Sequence, residues 1–392
     1  MNKKKLLYAS PFPPQKSGIS DYSKVLASAL RSIYDVTLLI DDYTLEDRRM
    51  YKDFTVMVYG KDKVCFADYD YLVYNIGNNP EYHSYIYKLC LEHPGLVILH
   101  DVVLYYLYVG VYQKESYFYS KIYKENGLDE FLKIKHAVRT NGEDLLSQKE
   151  MANTLKLNRE ILESGNKIMV HSWYAYNQLI NSGAINEKLI RKINHLRLLN
   201  DEEKNLDRSR LLKKYCIPED AFIVASFGYI AETKLNREVC KAVKKLNEKM
   251  NRKICYVMVG EGNYVDDYVD NQIIFKTGYT ELVEFNSFID HSDIIMNLRY
   301  PSMGETSGAM LRILQKGKLC FINKGGWFSE IPDDCVVVID LDNVVENLCA
   351  KIAEYMTDEI ASSKIKKNAK QLIETEYSEN AVVEQIKEFL EE

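Results

Sequence analysis

Apolar residues in the first half of the chain form short runs that alternate with longer amphipathic segments. Apolar runs of about four to eight residues between polar loops are typical of strands buried in a parallel sheet. These runs predict six strands, at 5–10, 35–40, 54–59, 71–75, 96–100 and 167–171. Several end in polar residues, which a doubly wound sheet brings to one ligand-binding edge. The first half is therefore predicted to form one doubly wound α/β domain.

The second half of the chain repeats this alternation. Apolar runs predict strands at 221–228, 253–263, 273–278, 294–296, 319–322 and 335–340, and helical patterns occupy 343–357 and 360–392. The segment 196–217 is rich in charge and lacks periodicity, so the domain boundary is placed there. The predicted fold class is α/β, with two Rossmann-like domains.

The stretch from 293 to 330 carries the clearest ligand-binding pattern. A strand at Ile294–Met296 leads into a polar loop with Arg299 and Glu305, and the small residues Thr306-Ser307-Gly308 begin an amphipathic helix. A helix N-terminus presents free backbone N–H groups and the positive end of the helix dipole, which favour an anionic ligand. We interpret this stretch as an anion-binding strand, turn and helix.

Polar residues also follow the strands of the first half. The loop after the first strand contains Gly18, where the backbone can approach a ligand closely, and Ser20 or Asp21 is expected to cap the next helix. Three further strands end in chemically capable polar segments, at 76–83, at His100-Asp101 and at His171-Ser172. This placement indicates a binding edge in the first domain as well.

Composition and charge narrow the class of protein. The 392 residues suffice for two ordinary domains, and 46% apolar with 28% charged residues is a typical globular balance. A net charge of −6 does not favour nucleic-acid binding. The sequence contains no run of about 18 apolar residues, so no membrane-spanning helix is predicted. The lysines at 3–5 are not followed by the apolar core of a signal peptide. Eight scattered cysteines indicate reduced thiols, so the predicted location is cytoplasmic.

In their order and spacing, these motifs resemble the retaining glycosyltransferases of family 4, which have the GT-B fold. The residues that carry the resemblance are Gly18, His100-Asp101, Gly228 with Lys234, Gly260-Glu261-Gly262, Glu305, Gly308 and Gly317. The loop 76–79, Pro94-Gly95 and the segment 299–308 resemble one subgroup of that family. The resemblance implies two Rossmann-like domains facing across a cleft, with 1–200 binding the acceptor and 201–375 the nucleotide-sugar. It also implies that the helix 376–392 packs on the N-terminal domain.

Glycosyl transfer separates charge between the sugar and a departing diphosphate, so a donor site needs well-aimed cations and dipoles. Lys234, a point cation at a strand–loop–helix junction, is expected to meet the diphosphate. By the resemblance, Glu305 contacts the donor sugar. The remaining expected donor-binding residues are Gly18, Gly228, Tyr229, Gly262, Thr277, Gly278, Arg299, Gly304, Thr306, Ser307 and Gly308.

Two positions depart from the family pattern. Tyr229 stands where the family usually has an arginine, and Arg299 is the candidate to replace that charge. The second family glutamate, which normally holds the ribose, is missing because Arg312 and Ile313 occupy its place. The nucleoside contacts stay open, with backbone near Thr277-Gly278 as one alternative.

His100 matches the family histidine that contacts the donor sugar near the reacting carbon, and Asp101 can orient its ring. Asn78, Asn79, His83 and Asp101 are the candidate acceptor-binding residues. In this class the leaving phosphate is thought to deprotonate the acceptor, so the resemblance implies no protein base. The competing interpretation of His100 is a core histidine at the end of a strand.

Two segments, Asp68-Tyr69-Asp70 and Asp340-Leu341-Asp342, match the D-x-D pattern of metal-dependent transferases. Their places beside strands and a helix start favour structural capping, and Mg²⁺ would need convergent oxygen ligands. Lys234 and Arg299 can supply the positive charge. The sequence therefore predicts no essential metal and no cofactor, with a UDP- or GDP-sugar as co-substrate.

The leading hypothesis is a retaining hexosyltransferase that acts on a saccharide, lipid-linked or protein-linked glycan in surface glycan biosynthesis. The alternative is a non-catalytic GT-B-shaped partner or regulatory subunit of another glycosyltransferase, which the two departures favour. A homo-oligomer or a glycosyltransferase partner stays open. Basic and aromatic residues at 114–124 predict either a solvated helix or contact with the inner face of the plasma membrane.

Overall fold

The computed structural model describes residues 3–197, 205–302 and 306–392. The chain divides into two compact units. The first contains the residues up to Leu196 and the final Glu379–Glu392, and the second contains Arg197–Ser302 and Ser307–Ser378. Each unit has one parallel sheet with helices between its strands, which confirms the predicted α/β class.

The sheet of the first unit has seven parallel strands. They are β1 (Lys5–Ala9), β2 (Asp35–Ile40), β3 (Thr55–Val58), β4 (Tyr71–Ile76), β5 (Leu96–Leu99), β6 (Lys167–Val170) and β7 (Ile190–Lys192). Their order is β3-β2-β1-β4-β5-β6-β7, so connections run outward in both directions from the pair β1 and β4. Such a switch point opens a ligand crevice at the carboxyl ends of the strands.

The six strands predicted for this half are confirmed, and β7 was missed. β7 has three residues, two of which are the charged Arg191 and Lys192, so no apolar run marks it. Charged side chains are common on edge strands, where they discourage pairing with another chain.

Eight helices in the described part of the first unit precede its final segment 379–392, and most of them connect consecutive strands of the sheet. They are α1 (Gly18–Leu30), α2 (Met50–Asp53), α3 (Pro80–Glu92), α4 (Tyr105–Tyr112), α5 (Phe118–Asn141), α6 (Lys149–Thr154), α7 (Arg159–Glu163) and α8 (Trp173–Ile180). Ser17 caps α1 by accepting from the backbone N–H of Ile19 at 3.2 Å. The expectation that Ser20 or Asp21 is the cap is therefore wrong. Both residues lie inside the helix, because the cap precedes Gly18 rather than following it.

The second unit repeats the plan with six parallel strands. They are β8 (Phe222–Phe227), β9 (Ile254–Val259), β10 (Ile274–Lys276), β11 (Ile294–Met296), β12 (Cys320–Ile322) and β13 (Val337–Val338), in the order β10-β9-β8-β11-β12-β13. The remaining helices of the chain are α9 (Arg208–Lys214), α10 (Asn236–Asn247), α11 (Leu282–His291), α12 (Gly308–Gln315), α13 (Val344–Tyr355), α14 (Glu359–Glu376) and α15 (Glu379–Glu391). The helical pattern predicted at 360–392 is two helices, with a break at Tyr377-Ser378.

Although it is last in the chain, α15 belongs to the first unit. The Lys167 ammonium, at the start of β6, donates to the carbonyl of Phe389 at 2.8 Å. The Arg191 guanidinium of β7 pairs with the Glu392 carboxylate at 2.6 Å and lies 4.8 Å from the Phe389 ring. These contacts fix the end of the chain against the outer strands of the first sheet.

Many tyrosines of the stretch 69–125 are core residues. Tyr87, Tyr105 and Tyr108 are fully buried, whereas Tyr117 and Tyr123 are about half exposed. Across the described ranges, no helix combines the length and the apolar content that a membrane crossing requires.

Candidate functional site

The buried Asn75, near the carboxyl end of β4, holds two of the predicted histidines. Its side-chain oxygen accepts a hydrogen bond from His100 Nε2 at 2.8 Å, and its backbone carbonyl accepts one from His83 Nδ1 at 3.0 Å. His83 is fully buried, whereas His100 is partly exposed. Sequence reasoning missed Asn75, although a polar residue within the apolar run YLVYN was the available signal.

The candidate acceptor residues Asn78, Asn79 and Asp101 organise the loops above β4 and β5. Asp101 Oδ2 accepts from the backbone N–H of Asn78 at 2.8 Å. The Asn78 side chain accepts from the backbone N–H groups of Tyr106 and Leu107 at 2.9 and 3.2 Å. Asn79 caps α3 by accepting from Glu81 N at 2.9 Å. These side chains hold the loop backbone in place at the carboxyl edge of the first sheet.

A cavity of about 550 Å³ opens at this edge, and all four candidate acceptor residues line it. The lining residues are Ser17, Ile19, Asn78, Asn79, Pro80, His83, Asp101, Tyr106 and Leu146. A second cavity of about 590 Å³ is lined by Lys3, Lys5, Asp35 and Thr55 among others, at the amino ends of the strands. Open parallel sheets bind ligands at the carboxyl ends of their strands, so the cavity lined by His83 and Asp101 is the candidate ligand site.

Burial lowers the pKa of His83 from 6.5 to about 4. Between these values the unfolded chain binds a proton that the native chain does not bind. The His83 contribution to stability is therefore present above pH 6.5 and is lost as the pH falls towards about 4. At about pH 5 the loss amounts to about 2 kcal/mol.

The variant His83→Asn keeps a side-chain donor for the carbonyl of Asn75 and removes the titrating ring. We expect its free energy of unfolding to fall by about 2 kcal/mol less than that of the wild type between about pH 7 and pH 5. Urea denaturation at both pH values measures this difference. His136→Asn, at an exposed position of α5, is the control and should match the wild type. Equal losses in all three proteins would contradict the prediction.

His100 lies among aromatic rings that sequence reasoning did not group with it. Its ring centroid is 4.9 Å from that of Tyr22, 5.0 Å from that of His171 and 6.3 Å from that of His195. Burial, together with the neighbouring imidazoles, lowers the pKa of His100 well below 6.5. The imidazole is therefore neutral at physiological pH. His195 follows no predicted strand, so nothing in the sequence pattern marked it.

In the second unit, glycines let two loops pack at the carboxyl ends of β8 and β9. A Cβ on Gly260 would lie 2.2 Å from the carbonyl oxygen of Gly228, and one on Gly262 would lie 2.3 Å from that of Ile230. Backbone hydrogen bonds join the same loops, from Gly228 N to Val259 O at 2.9 Å and from Ile230 N to Glu261 O at 2.6 Å. Side chains at these glycines would force the loops apart.

The Lys234 ammonium lies at the end of β8, and its role as a diphosphate-binding cation stays a prediction. It donates to the carbonyl of Phe227 at 2.7 Å, and it lies 2.9 Å from the position of a Cβ on Gly228. Gly228 has a φ of +82°, which favours glycine. Tyr229, beside it, is 62% exposed and leaves its ring available to a ligand.

Arg299 is held close to the turn that carries Lys234. Asn323, which follows β12, accepts from Arg299 N at 2.7 Å and donates to Arg299 O at 2.9 Å. The next residue, Tyr300, donates its backbone N–H to Thr233 O at 2.7 Å. The two predicted cation segments are thus joined. No pattern in the sequence indicated Asn323, which organises this loop from the position directly after β12.

Thr277, Gly278, Ser307 and Gly308, which are further predicted donor residues, lie at the same edge. Thr277 and Gly278 follow β10, where Thr277 N donates to Met258 O at 3.0 Å and Gly278 has a φ of +74°. Ser307 caps α12 by accepting from Met310 N at 3.2 Å, with Thr306 before it and Gly308 as the first helical residue. Gly304 and Glu305 lie outside the described residues. Gly18 lies in the first unit, exposed at the start of α1.

Arg312 and Ile313, which stand where the family has its second glutamate, are both buried. Ile313 is fully buried in the apolar core of the second unit, and Arg312 is 5% exposed. In each of the two D-x-D segments one carboxylate accepts a hydrogen bond from a backbone N–H group. Asp70 Oδ2 accepts from Lys5 N at 2.7 Å, and Asp340 Oδ1 accepts from Asp342 N at 2.9 Å.

The two parallel α/β units, each with polar loops at its carboxyl edge, define the GT-B fold, and solved structures of low sequence identity share it. HepE from Anabaena, solved with UDP and glucose, is similar at a TM-score of 0.64 and 13% identity over 99% of both chains. Sucrose-phosphate synthase from Thermosynechococcus elongatus gives 0.62 and 11% over 99% of this chain and 98% of that one. WaaG, a glycosyltransferase involved in lipopolysaccharide biosynthesis, gives 0.59 and 14% over 98% of this chain and 99% of that one. No protein-family model and no curated protein sequence matches the chain.

Proposed function

We propose that this protein is a retaining glycosyltransferase, of the family 4 type, that transfers a hexose from a nucleotide-diphosphate sugar to a glycan acceptor. The observation that carries the proposal is the carboxyl edge of the second sheet. Glycine-bearing loops, the Lys234 ammonium and the N-terminus of α12 all lie on that edge. Two similar structures of HepE hold UDP with glucose and UDP-glucose, which supports a sugar nucleotide as the ligand.

The proposed donor site stabilises charge on the leaving diphosphate. Lys234 contributes a full positive charge, Arg299 contributes a second one, and Ser307 leaves the first N–H groups of α12 directed at the ligand. Tyr229, in place of an arginine, presents a ring on which a nucleobase or sugar can stack. Glu305 is proposed to contact the donor sugar, as the family resemblance implies.

The first unit is proposed to bind the acceptor and, as the family resemblance implies, to contribute His100 near the developing sugar cation. His100 is neutral and is oriented by Asn75, so it can present a lone pair toward an oxocarbenium-like carbon. The cavity lined by Asn78, Asn79 and His83 is proposed to hold the acceptor. Its mixed lining, with Ile19 and Tyr106 beside polar groups, suits a sugar with an apolar neighbour, such as a lipid-linked glycan.

A panel of UDP- and GDP-sugars, incubated with the purified protein, tests the proposal. We expect release of the nucleoside diphosphate from at least one donor, and NMR of the product should show the anomeric configuration of the donor retained. EDTA should not lower turnover, because Lys234 and Arg299 are proposed to take the place of an essential metal ion. Absence of binding and turnover with every donor would overturn the proposal.

Filling the proposed acceptor cavity should weaken acceptor binding selectively. Ile19→Trp adds a bulky ring inside the cavity, so we expect the acceptor KM to rise about tenfold or more, while the donor KM stays unchanged. Steady-state kinetics with each substrate varied in turn measures this split. Leu128→Trp, at an exposed site of α5, is the control. Equal effects of Ile19→Trp on both KM values would place the acceptor elsewhere.

The alternative function is a non-catalytic partner or regulatory subunit of another glycosyltransferase. Tyr229 and the buried Ile313 favour it, because each replaces a charged family residue. If nucleotide-sugars bind without turnover, and if pull-down from cells recovers an active glycosyltransferase, this alternative replaces the first.

We further propose that the protein works in the cytoplasm and touches the inner face of the membrane. Tyr117 and Tyr123 are 48% and 56% exposed beside lysines of the segment 114–124. Aromatic rings with basic neighbours favour an anionic lipid surface. We expect the protein to co-sediment with anionic liposomes and the double variant Tyr117→Ser/Tyr123→Ser to lose this binding. Equal co-sedimentation of the wild type and the double variant would contradict the proposal.

A further inference from the structure

Three histidines from separate parts of the first unit converge near the carboxyl edge of its sheet. His100 follows β5, His171 follows β6 and His195 follows β7. One ring nitrogen from each can be chosen so that the three nitrogens lie within 4.8 Å of one another. The rings surround Tyr22, whose centroid is 4.9, 5.3 and 4.5 Å from those of His100, His171 and His195.

Carbonyl oxygens fix the tautomer of each ring. His171 Nδ1 donates to Ile193 O at 3.2 Å and His195 Nδ1 donates to Leu196 O at 2.8 Å, while His100 Nε2 donates to the side-chain oxygen of Asn75 at 2.8 Å. In a neutral imidazole the opposite nitrogen then carries the lone pair. Metal-binding histidines characteristically have their second nitrogen held in this way, which orients the ring and raises its basicity as a ligand.

Two buried polar atoms of the cluster are unsatisfied within the described part of the chain. His171 Nε2, on a side chain that is 3% exposed, has no hydrogen-bond partner there, and neither does the hydroxyl of the fully buried Tyr22. A buried, unpaired polar atom is costly and indicates an unrecorded ligand, such as a water or an ion.

We propose that His100, His171 and His195 form a binding site for one transition-metal ion of the Zn²⁺ class. Imidazole suits Zn²⁺, Co²⁺ and Ni²⁺ and does not suit Mg²⁺, which prefers oxygen ligands. Tetrahedral zinc sites have ligand nitrogens about 3.4 Å apart, so a metal ion would draw together rings whose nitrogens now lie within 4.8 Å of one another. With three protein ligands, the fourth position is left to water or to a substrate group.

Titration of the chelator-treated full-length protein with Zn²⁺ and with Co²⁺ tests the site. Calorimetry should show one tight Zn²⁺ per chain, and Co²⁺ should give the intense visible absorption of a tetrahedral ion without thiolate charge-transfer bands. No binding of either metal would overturn the proposal. Thiolate bands would assign the ion to the free cysteines and would overturn it equally.

Two conservative variants separate this site from adventitious binding. His171→Asn and His195→Asn each keep a donor for the carbonyl that Nδ1 contacts, and each removes the proposed ligand nitrogen. We expect Zn²⁺ binding to weaken about 100-fold or more in either variant, with circular dichroism unchanged. The control His136→Asn should bind as the wild type does. Unchanged affinity in folded His171→Asn and His195→Asn would overturn the proposal, and the second variant keeps the test available if the first fails to fold.

Metal binding at the three-histidine site is expected to affect catalysis, an inference that rests on the proposed function. A metal ion would engage the lone pair of His100 that is proposed to face the donor sugar, so Zn²⁺ should inhibit transfer reversibly. His195→Asn should raise the Zn²⁺ concentration for half inhibition at least about tenfold. Zinc binding without inhibition would leave the metal site in place and would remove His100 from the reaction.

Discussion

Replacing Lys234 by methionine is expected to lower turnover of the nucleotide-sugar about 100-fold or more. The ammonium lies over the carboxyl end of β8, 2.7 Å from Phe227 O, where the departing diphosphate is proposed to lie. A single well-placed donor to a developing charge is typically worth about 100- to 1,000-fold in rate, and methionine keeps the apolar stem without the charge. The assay is release of nucleoside diphosphate at saturating donor.

Three companion variants of Lys234→Met make the result specific. Lys234→Arg keeps the charge and should recover part of the activity, although the planar guanidinium does not reproduce the point charge. Gly228→Ala keeps the lysine but places a Cβ 2.9 Å from its ammonium, so it should also lower turnover. Lys241→Met, at an exposed site of α10, is the control. If Lys234→Met has full activity, or loses activity only by unfolding, Lys234 is a structural lysine that ties down its own turn.

The sequence predicts best those features that follow from local pattern. Buried parallel strands appear as apolar runs, and the structure confirms all twelve predicted strands, with ends shifted by a few residues. The turn before α12 was also predictable, because Ser307 before a glycine and an amphipathic run is a strong helix start. Strand ends such as His100 then follow from the parallel topology alone.

Residues that hydrogen-bond to partners on other strands could not be predicted from the sequence. Asn75 orients His100 over 25 positions in the chain, and Asn323 holds Arg299 over 24. Such contacts depend on strand order, which a single sequence does not reveal. His195 was missed for the same reason, since it joins His100 only after the short, charged β7 is placed at the edge of the sheet.

These long-range partners change the interpretation of His100. At the sequence level His100 was interpreted as a residue near the donor sugar, and a core histidine at a strand end was the competing interpretation. The structure shows a residue that is partly exposed, with a neutral imidazole that is oriented by the side chain of Asn75. Partial exposure together with a fixed ring orientation favours a role toward a ligand.

Replacing His100 by glutamine is therefore expected to lower kcat about 100-fold with little change in the donor KM. Glutamine can place an amide N–H where Nε2 donates to Asn75, so the fold is preserved, and it lacks the imidazole lone pair. Loss of an interaction made only in the transition state lowers kcat and kcat/KM together, whereas loss of ground-state binding raises KM. Steady-state kinetics with the donor varied distinguishes the two.

Asn75→Leu provides the test of orientation for the same ring. It leaves the imidazole in place and removes the side-chain oxygen that orients it. We therefore expect kcat to fall by about tenfold, which is less than the fall expected for His100→Gln. His93→Gln, on the loop between α3 and β5, is the matched histidine control. Full activity in a folded His100→Gln would show that hydrogen bonding to Asn75 is all that position requires, and His100 would then be a structural residue of the first unit.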